Sequence, residues 1–142
     1  MLATLALIVM AATAADAPLY ESEFIFPPND KHNHGSSIVE AADGTLVTAW
    51  FHGSGERTCD DVMVQGARRH PGGQWCEPFV MADTPDLPDC NPVLFIDPRG
   101  TLWLIWIAVQ DNQWGGSLLK YRLSDDYLGD GAPKWRWQDV IH

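Results

Sequence analysis

Ser36-Ser37-Ile38-Val39-Glu40-Ala41-Ala42-Asp43-Gly44-Thr45-Leu46-Val47-Thr48-Ala49-Trp50-Phe51 returns, 56 residues on, as Pro92-Val93-Leu94-Phe95-Ile96-Asp97-Pro98-Arg99-Gly100-Thr101-Leu102-Trp103-Leu104-Ile105-Trp106-Ile107. Gly44-Thr45-Leu46 aligns with Gly100-Thr101-Leu102, and Trp50 aligns with Trp106. Each copy reads as a strand, a tight turn built from Asp, Gly or Pro, and a second strand, which is the signature of a β-hairpin. Third strands follow at residues 62–68 and 117–123. Each is succeeded by a polar turn and a tryptophan, Trp75 in the first copy and Trp135 in the second. Four strands per unit, recurring at about 40 to 60 residues, is the pattern of propeller blades.

The segment Leu102 to Val109 is apolar on both faces, as suits an inner strand sandwiched between neighbouring blades. No helical periodicity is sustained, and ten prolines and twelve glycines punctuate the chain. A β-sandwich also uses short strands with frequent turns, but the 56-residue self-similarity favours an all-β propeller with about two four-stranded blades present. Two units cannot close a ring that needs about 4 to 8 blades, so the expectation is a portion of a longer propeller. The expected division is a signal peptide over 1–15, a lead-in over 16–33, a first blade over 34–82 and a second, truncated blade over 83–142.

The chain has 142 residues, of which 46% are hydrophobic and 20% charged, a globular composition. A net charge of −10 argues against a nucleic-acid partner, because phosphate binding requires clustered Lys and Arg. Residues Leu2 to Met10 form a short apolar run followed by Ala11-Ala12-Thr13-Ala14-Ala15-Asp16. This resembles a signal-peptide core with a small-residue cleavage site near Ala14 or Ala15, although no basic residue precedes it. The run is too short to span a bilayer, and a secreted or periplasmic protein without a membrane span is expected. Three cysteines, Cys59, Cys76 and Cys90, allow three pairings in an oxidising compartment, and the spacing does not choose among them.

His34-Gly35-Ser36-Ser37-Ile38-Val39, Gly44 to Phe51, Gly55-Glu56 leading to Asp61-Val62, Asn91 to Phe95 and Gly100 to Leu104 carry a family likeness in their order and spacing. Together they resemble the N-terminal part of the sialidase (neuraminidase) superfamily, and within it the bacterial sialidase-like proteins with BNR, or Asp-box, repeats. The resemblance implies a six-bladed propeller when complete. It departs from the family where an Arg-Ile-Pro stretch would supply a carboxylate-binding arginine, since His34-Gly35-Ser36-Ser37 stands there. The Asp box is also eroded, to Arg69-His70-Pro71-Gly72-Gly73-Gln74-Trp75 in one copy and Ser124-Asp125-Asp126 with a displaced Trp135 in the other. Those boxes are turn elements, whereas the lost arginine puts sialic acid itself in doubt.

Glu56-Arg57-Thr58-Cys59-Asp60-Asp61 is a polar loop between apolar strands. Glycoside hydrolysis generally needs carboxyl groups beside the scissile bond, although sialidases use Tyr as the nucleophile. By resemblance Asp60, Asp61 or Glu56 would protonate the leaving oxygen, and Arg57 would hold an anionic or hydroxyl group of the sugar. A solvated loop with its own ion-pair network would present the same residues. His32, His34 and His52 near Cys59 and Asp60 invite a metal, but no second spaced pair completes a set, so neither metal nor cofactor is expected. His34 and Asn91 stand at equivalent strand entrances and are expected to contact substrate, while Asn91-Pro92 also suits a turn. Most tryptophans recur at strand positions and read as packing residues. Trp114 lies in a polar loop and is a candidate sugar platform. Two functions follow: an exported, exo-acting glycosidase on a terminal, possibly acidic sugar, or a non-catalytic propeller that binds glycans or proteins.

Overall fold

The structure, a computed structural model, describes residues 19–142; the expected signal peptide lies outside them. Eight strands fold into two four-stranded antiparallel sheets. The first contains β1 (His32–Glu40), β2 (Leu46–Gly53), β3 (Met63–Arg69) and β4 (Phe79–Ala82), paired in that order. The second contains β5 (Asp89–Ile96), β6 (Leu102–Ala108), β7 (Leu118–Ser124) and β8 (Trp137–Val140), again in chain order. A single 3-10 turn at Trp114–Gly116 joins β6 to β7. Among the described residues no helix is long and apolar enough to cross a membrane.

The repeat seen in the sequence is a repeat of backbone geometry. Gly44 and Gly100 close the first hairpin of each sheet, both at φ +83, a left-handed conformation that costs a side-chain-bearing residue. The inner strands share a second irregularity. Register slips between His34 and Ser37 in β1 and between Cys90 and Val93 in β5, so each carries a β-bulge. Gly35 (φ +62) and Asn91 (φ +51) occupy the same bulge position in their two copies. Asparagine is one of the few non-glycine residues that tolerates this region.

Alternation along the strands builds the core between the sheets. Val47, Ala49 and Val64 of the first sheet meet Leu94, Leu102, Leu104 and Trp106 of the second, all buried. Polar ties cross the same junction. The Leu94 N–H donates to Ser37 Oγ (2.9 Å). Arg68, 3% exposed, donates from one guanidinium nitrogen to the carbonyls of Gly129 and Gly131 while its head lies over the Phe79 ring. Asp89, fully buried, accepts from Trp106 Nε1 (2.7 Å) and from the Thr84 N–H (2.7 Å). Burial holds its carboxyl above the usual range, against those two bonds.

The outer faces of the two sheets differ. Residues 19–31 run without a strand across the first sheet: Phe26 stacks on Trp50 (5.1 Å), and Glu23 receives Arg69 and Trp75 Nε1. Among the described residues, the outer face of the second sheet has no such cover. Phe95, Trp103, Leu123 and Trp137 pair in one row across it, with Phe95 and Trp137 51% and 53% exposed. The strand expected to be sandwiched on both faces is therefore buried on one, through Leu102, Leu104, Trp106 and Ala108.

Candidate functional site

In an up-and-down sheet, strand ends alternate between two edges. The starts of β1 and β5, the loop 54–62 between β2 and β3, and the loop 109–117 between β6 and β7 therefore share one rim. Six of the seven residues singled out in the sequence are tied into this rim by contacts. Asp60 is exposed in the same loop, with no side-chain hydrogen bond among the described residues.

His32 and His34 project to one side of β1, stack on each other (5.4 Å) and meet the Phe51 ring edge-on. His34 Nδ1 lies 3.8 Å from Glu56 Oε1, with side chains 65% and 34% exposed, so a solute reaches both. Asn91 is exposed beside them, its Oδ1 only 3.3 Å from where a Cβ on Gly35 would sit. The two bulges thus bring His34 and Asn91 to neighbouring strand entrances.

Arg57 reaches the second sheet. Its Nε donates to the Asn112 carbonyl (3.1 Å), and its guanidinium lies over the Trp114 ring (5.6 Å). Asp111 (φ +50) and Asn112 (φ +55) hold that loop in two consecutive left-handed conformations. Trp114, 41% exposed, therefore offers one side to a cation and the rest to solvent. A cleft of about 290 Å³ opens beside His34, lined also by Asn33, Ser36, Thr48, Phe26 and Trp50.

Asp61 differs from its neighbours. It accepts from Ser54 Oγ (2.5 Å), from the Ser54 N–H (3.0 and 3.1 Å) and from Lys31 Nζ (3.4 Å). The Ser54 hydroxyl and N–H, then Lys31, hold its carboxyl at about 2. That makes it an anion at neutral pH, suited to pinning the loop and unsuited to giving up a proton. The folded value lies below the roughly 3.9 of an unfolded chain. Asp61 therefore supports the loop fully above about pH 4, and this support is lost as pH falls through about 2. A carboxyl-carbon NMR titration is expected to show Asp61 protonating below pH 3. A midpoint near 4 would show that the Ser54 and Lys31 contacts do not persist in solution.

Sequence reading passed over Lys31, Ser54 and Asn112, which hold the rim's loops. His52 belongs to the scaffold, with Nδ1 2.7 Å from Asn33 Oδ1 and its protonated form disfavoured by burial and then by Lys31. Among the described residues no three His, Cys, Asp or Glu side chains group as a metal set would.

Residues 44–141 match the BNR repeat-like domain. The chain belongs to this BNR repeat-like family. No curated protein matches it. Two solved structures are similar, each 15% identical. One is a protein of unknown function from Dyadobacter fermentans DSM 18053, with a TM-score of 0.60 over 80% of this chain and 37% of that one. The other is Zg3597, a family 117 glycoside hydrolase produced by the marine bacterium Zobellia galactanivorans, with a TM-score of 0.56 over 82% of this chain and 42% of that one. The chain thus spans about two fifths of each, and at this identity the likeness concerns the fold. The two sheets are two blades of a β-propeller, as the sequence implied.

The eroded boxes of these BNR blades lie at the opposite edge from the rim. Thr45 Oγ1 bonds His70 Nδ1 (3.0 Å) in the first blade, and the equivalent Thr101 Oγ1 donates to Asp125 Oδ1 (2.7 Å) in the second. Each bond ties the first turn of a blade to its third, which is a structural task. The chemistry-bearing side chains of this BNR chain are gathered on the other edge.

Proposed function

We propose that these blades belong to an exported glycoside hydrolase that removes a terminal sugar from a glycan, and that the rim carrying Glu56 forms part of its active site. The observation that carries the proposal is the convergence of a solvent-reachable carboxyl, an imidazole 3.8 Å from it, and an amide at the neighbouring strand entrance. A sugar presents hydroxyls to such groups and an apolar face to an aromatic ring, and Trp114 supplies that ring on the adjoining loop. The glycoside hydrolase similar in fold supports the class of reaction. Exchange of the family arginine for His34 supports a hydroxyl or a weaker anion, in place of a carboxylate held in a bidentate grip.

In this reading Glu56 or Asp60 is the general acid, His34 and Asn91 orient the sugar, and Arg57 with Trp114 flanks it. A second reading is glycan binding without turnover. The Arg57–Trp114 platform favours it, because that platform is assembled without any carboxyl group. The whole protein, offered glycans with different terminal sugars, is expected to release a monosaccharide detectable by chromatography. Retention on a glycan array without release would support the binding reading, and neither release nor retention would sink both.

A further inference from the structure

Cys59 and Cys90 meet in a small apolar cluster beneath the candidate site. Cys90 is buried there with Phe51, Val62 and Val109, and Cys59 packs half-exposed against the same cluster. Two backbone hydrogen bonds in series join their neighbourhoods. The Val62 N–H donates to the Cys59 carbonyl (3.2 Å), and the Asp89 N–H donates to the Val62 carbonyl (2.8 Å), with Cys90 next in the chain. Cys76 lies at the other edge. Its N–H bonds the Arg68 carbonyl (2.8 Å), and its Sγ accepts the Arg68 N–H (3.2 Å). Arg68 pairs with Val47, whereas Met63, next to Val62, pairs with His52. The five steps from Val47 to His52 separate the two edges by about 17 Å at ~3.3 Å per residue. A disulfide needs Cα atoms roughly 4.4–6.8 Å apart, so the fold sets Cys76 aside and leaves Cys59 with Cys90 of the three possible pairings.

We propose that Cys59 and Cys90 are a modification site that closes to a disulfide, strapping the loop of Glu56 and Asp60 to the strand entrance of Asn91. The oxidant is an external disulfide, either a small-molecule one or a protein carrying one. The half-exposed Cys59, as thiolate, attacks one sulfur of that disulfide and expels a thiolate. Cys90 then attacks the Cys59 sulfur of the mixed disulfide and expels the second. Two protein thiols are oxidised, one disulfide is reduced to two thiols, and the two cysteine protons pass through solvent to the released groups. Burial, then Glu56 and Asp89, push the Cys90 thiol up to about 12, which disfavours the Cys90 thiolate and leaves Cys59 as the thiol that meets the oxidant first.

The test oxidises the reduced chain with glutathione disulfide, alkylates the remaining thiols and digests with trypsin and chymotrypsin, which cuts between Cys76 and Cys90 at Phe79. Mass spectrometry is expected to show a Cys59 peptide joined to a Cys90 peptide, with Cys76 alkylated. Thiol counts are expected to fall from three to one on oxidation. Cys76→Ser should leave the bridge intact, while Cys59→Ser should remove it with the circular dichroism of the β-fold unchanged. A bridge through Cys76, only intermolecular adducts, or three alkylated thiols after oxidation would overturn the proposal. None of these results depends on hydrolysis, so the strap and the glycosidase reading stand or fall separately.

Discussion

Replacing Trp106 with Ala is expected to destabilise the fold by about 3–5 kcal/mol, the cost of emptying a tryptophan-sized site in a core. Trp106 is 1% exposed, and Lys120 Nζ (5.2 Å) and Arg122 Cζ (5.5 Å) both lie over its ring. Its indole N–H is one of two donors holding the buried Asp89 carboxyl at the junction of the blades. Alanine would leave a cavity beneath two cations and remove half of that carboxyl's support. Trp50 is the equivalent residue of the first blade and is nearly as buried, at 4%. Its Nε1, however, has no hydrogen-bond partner among the described residues. The position matching Asp89 is Asn33, whose side chain is engaged with His52 and Asn29. Phenylalanine therefore separates the two sites more sharply than alanine does. Trp106→Phe strands an acceptor and should cost about 1–3 kcal/mol. Trp50→Phe removes an unsatisfied donor and should change stability by less than about 1 kcal/mol. Urea unfolding of the three variants measures all of this, and equal costs of Trp106→Phe and Trp50→Phe would show that the Asp89 bond contributes nothing.

This contrast marks how far the sequence could be read. The hairpins were legible because Gly-Thr-Leu after a polar turn is a local signal, and both glycines adopt the same left-handed angle. The bulges were hidden: Gly35 aligns with Asn91, but nothing local says that both residues need positive φ. Asn91 was read only as a substrate contact or a turn starter, and it is also the second blade's answer to that backbone demand. The cover over the first sheet was hidden as well. It depends on pairs such as Glu23 with Arg69 and Phe26 with Trp50, which sequence spacing does not reveal. Within the polar loop, composition put Glu56, Asp60 and Asp61 on one footing. Separation came only from Ser54 and Lys31 folding back on Asp61.

That separation gives the second large effect. On the glycosidase reading, Glu56→Gln in the whole protein is expected to lower kcat by 10²–10⁴-fold with little change in KM, the range for losing a positioned general acid. Glu56 is the candidate, since an acid must be reachable by the leaving oxygen: its side chain is one-third exposed and its carboxylate faces His34, whereas Asp61 is held as an anion by its neighbours. Asp61→Asn should therefore act through the loop. It would raise KM and loosen residues 54–61, leaving kcat within about an order of magnitude. His34→Asn should raise KM more than it lowers kcat, because in this scheme the imidazole orients the sugar and transfers no proton. If Asp60→Asn produces the fall in kcat instead, the acid is the exposed aspartate, and the His34–Glu56 pair serves binding. Unchanged kcat in both Glu56→Gln and Asp60→Asn would remove the acid from this rim. The Arg57–Trp114 platform would then remain as a surface for binding glycans, because it is held together without either carboxyl.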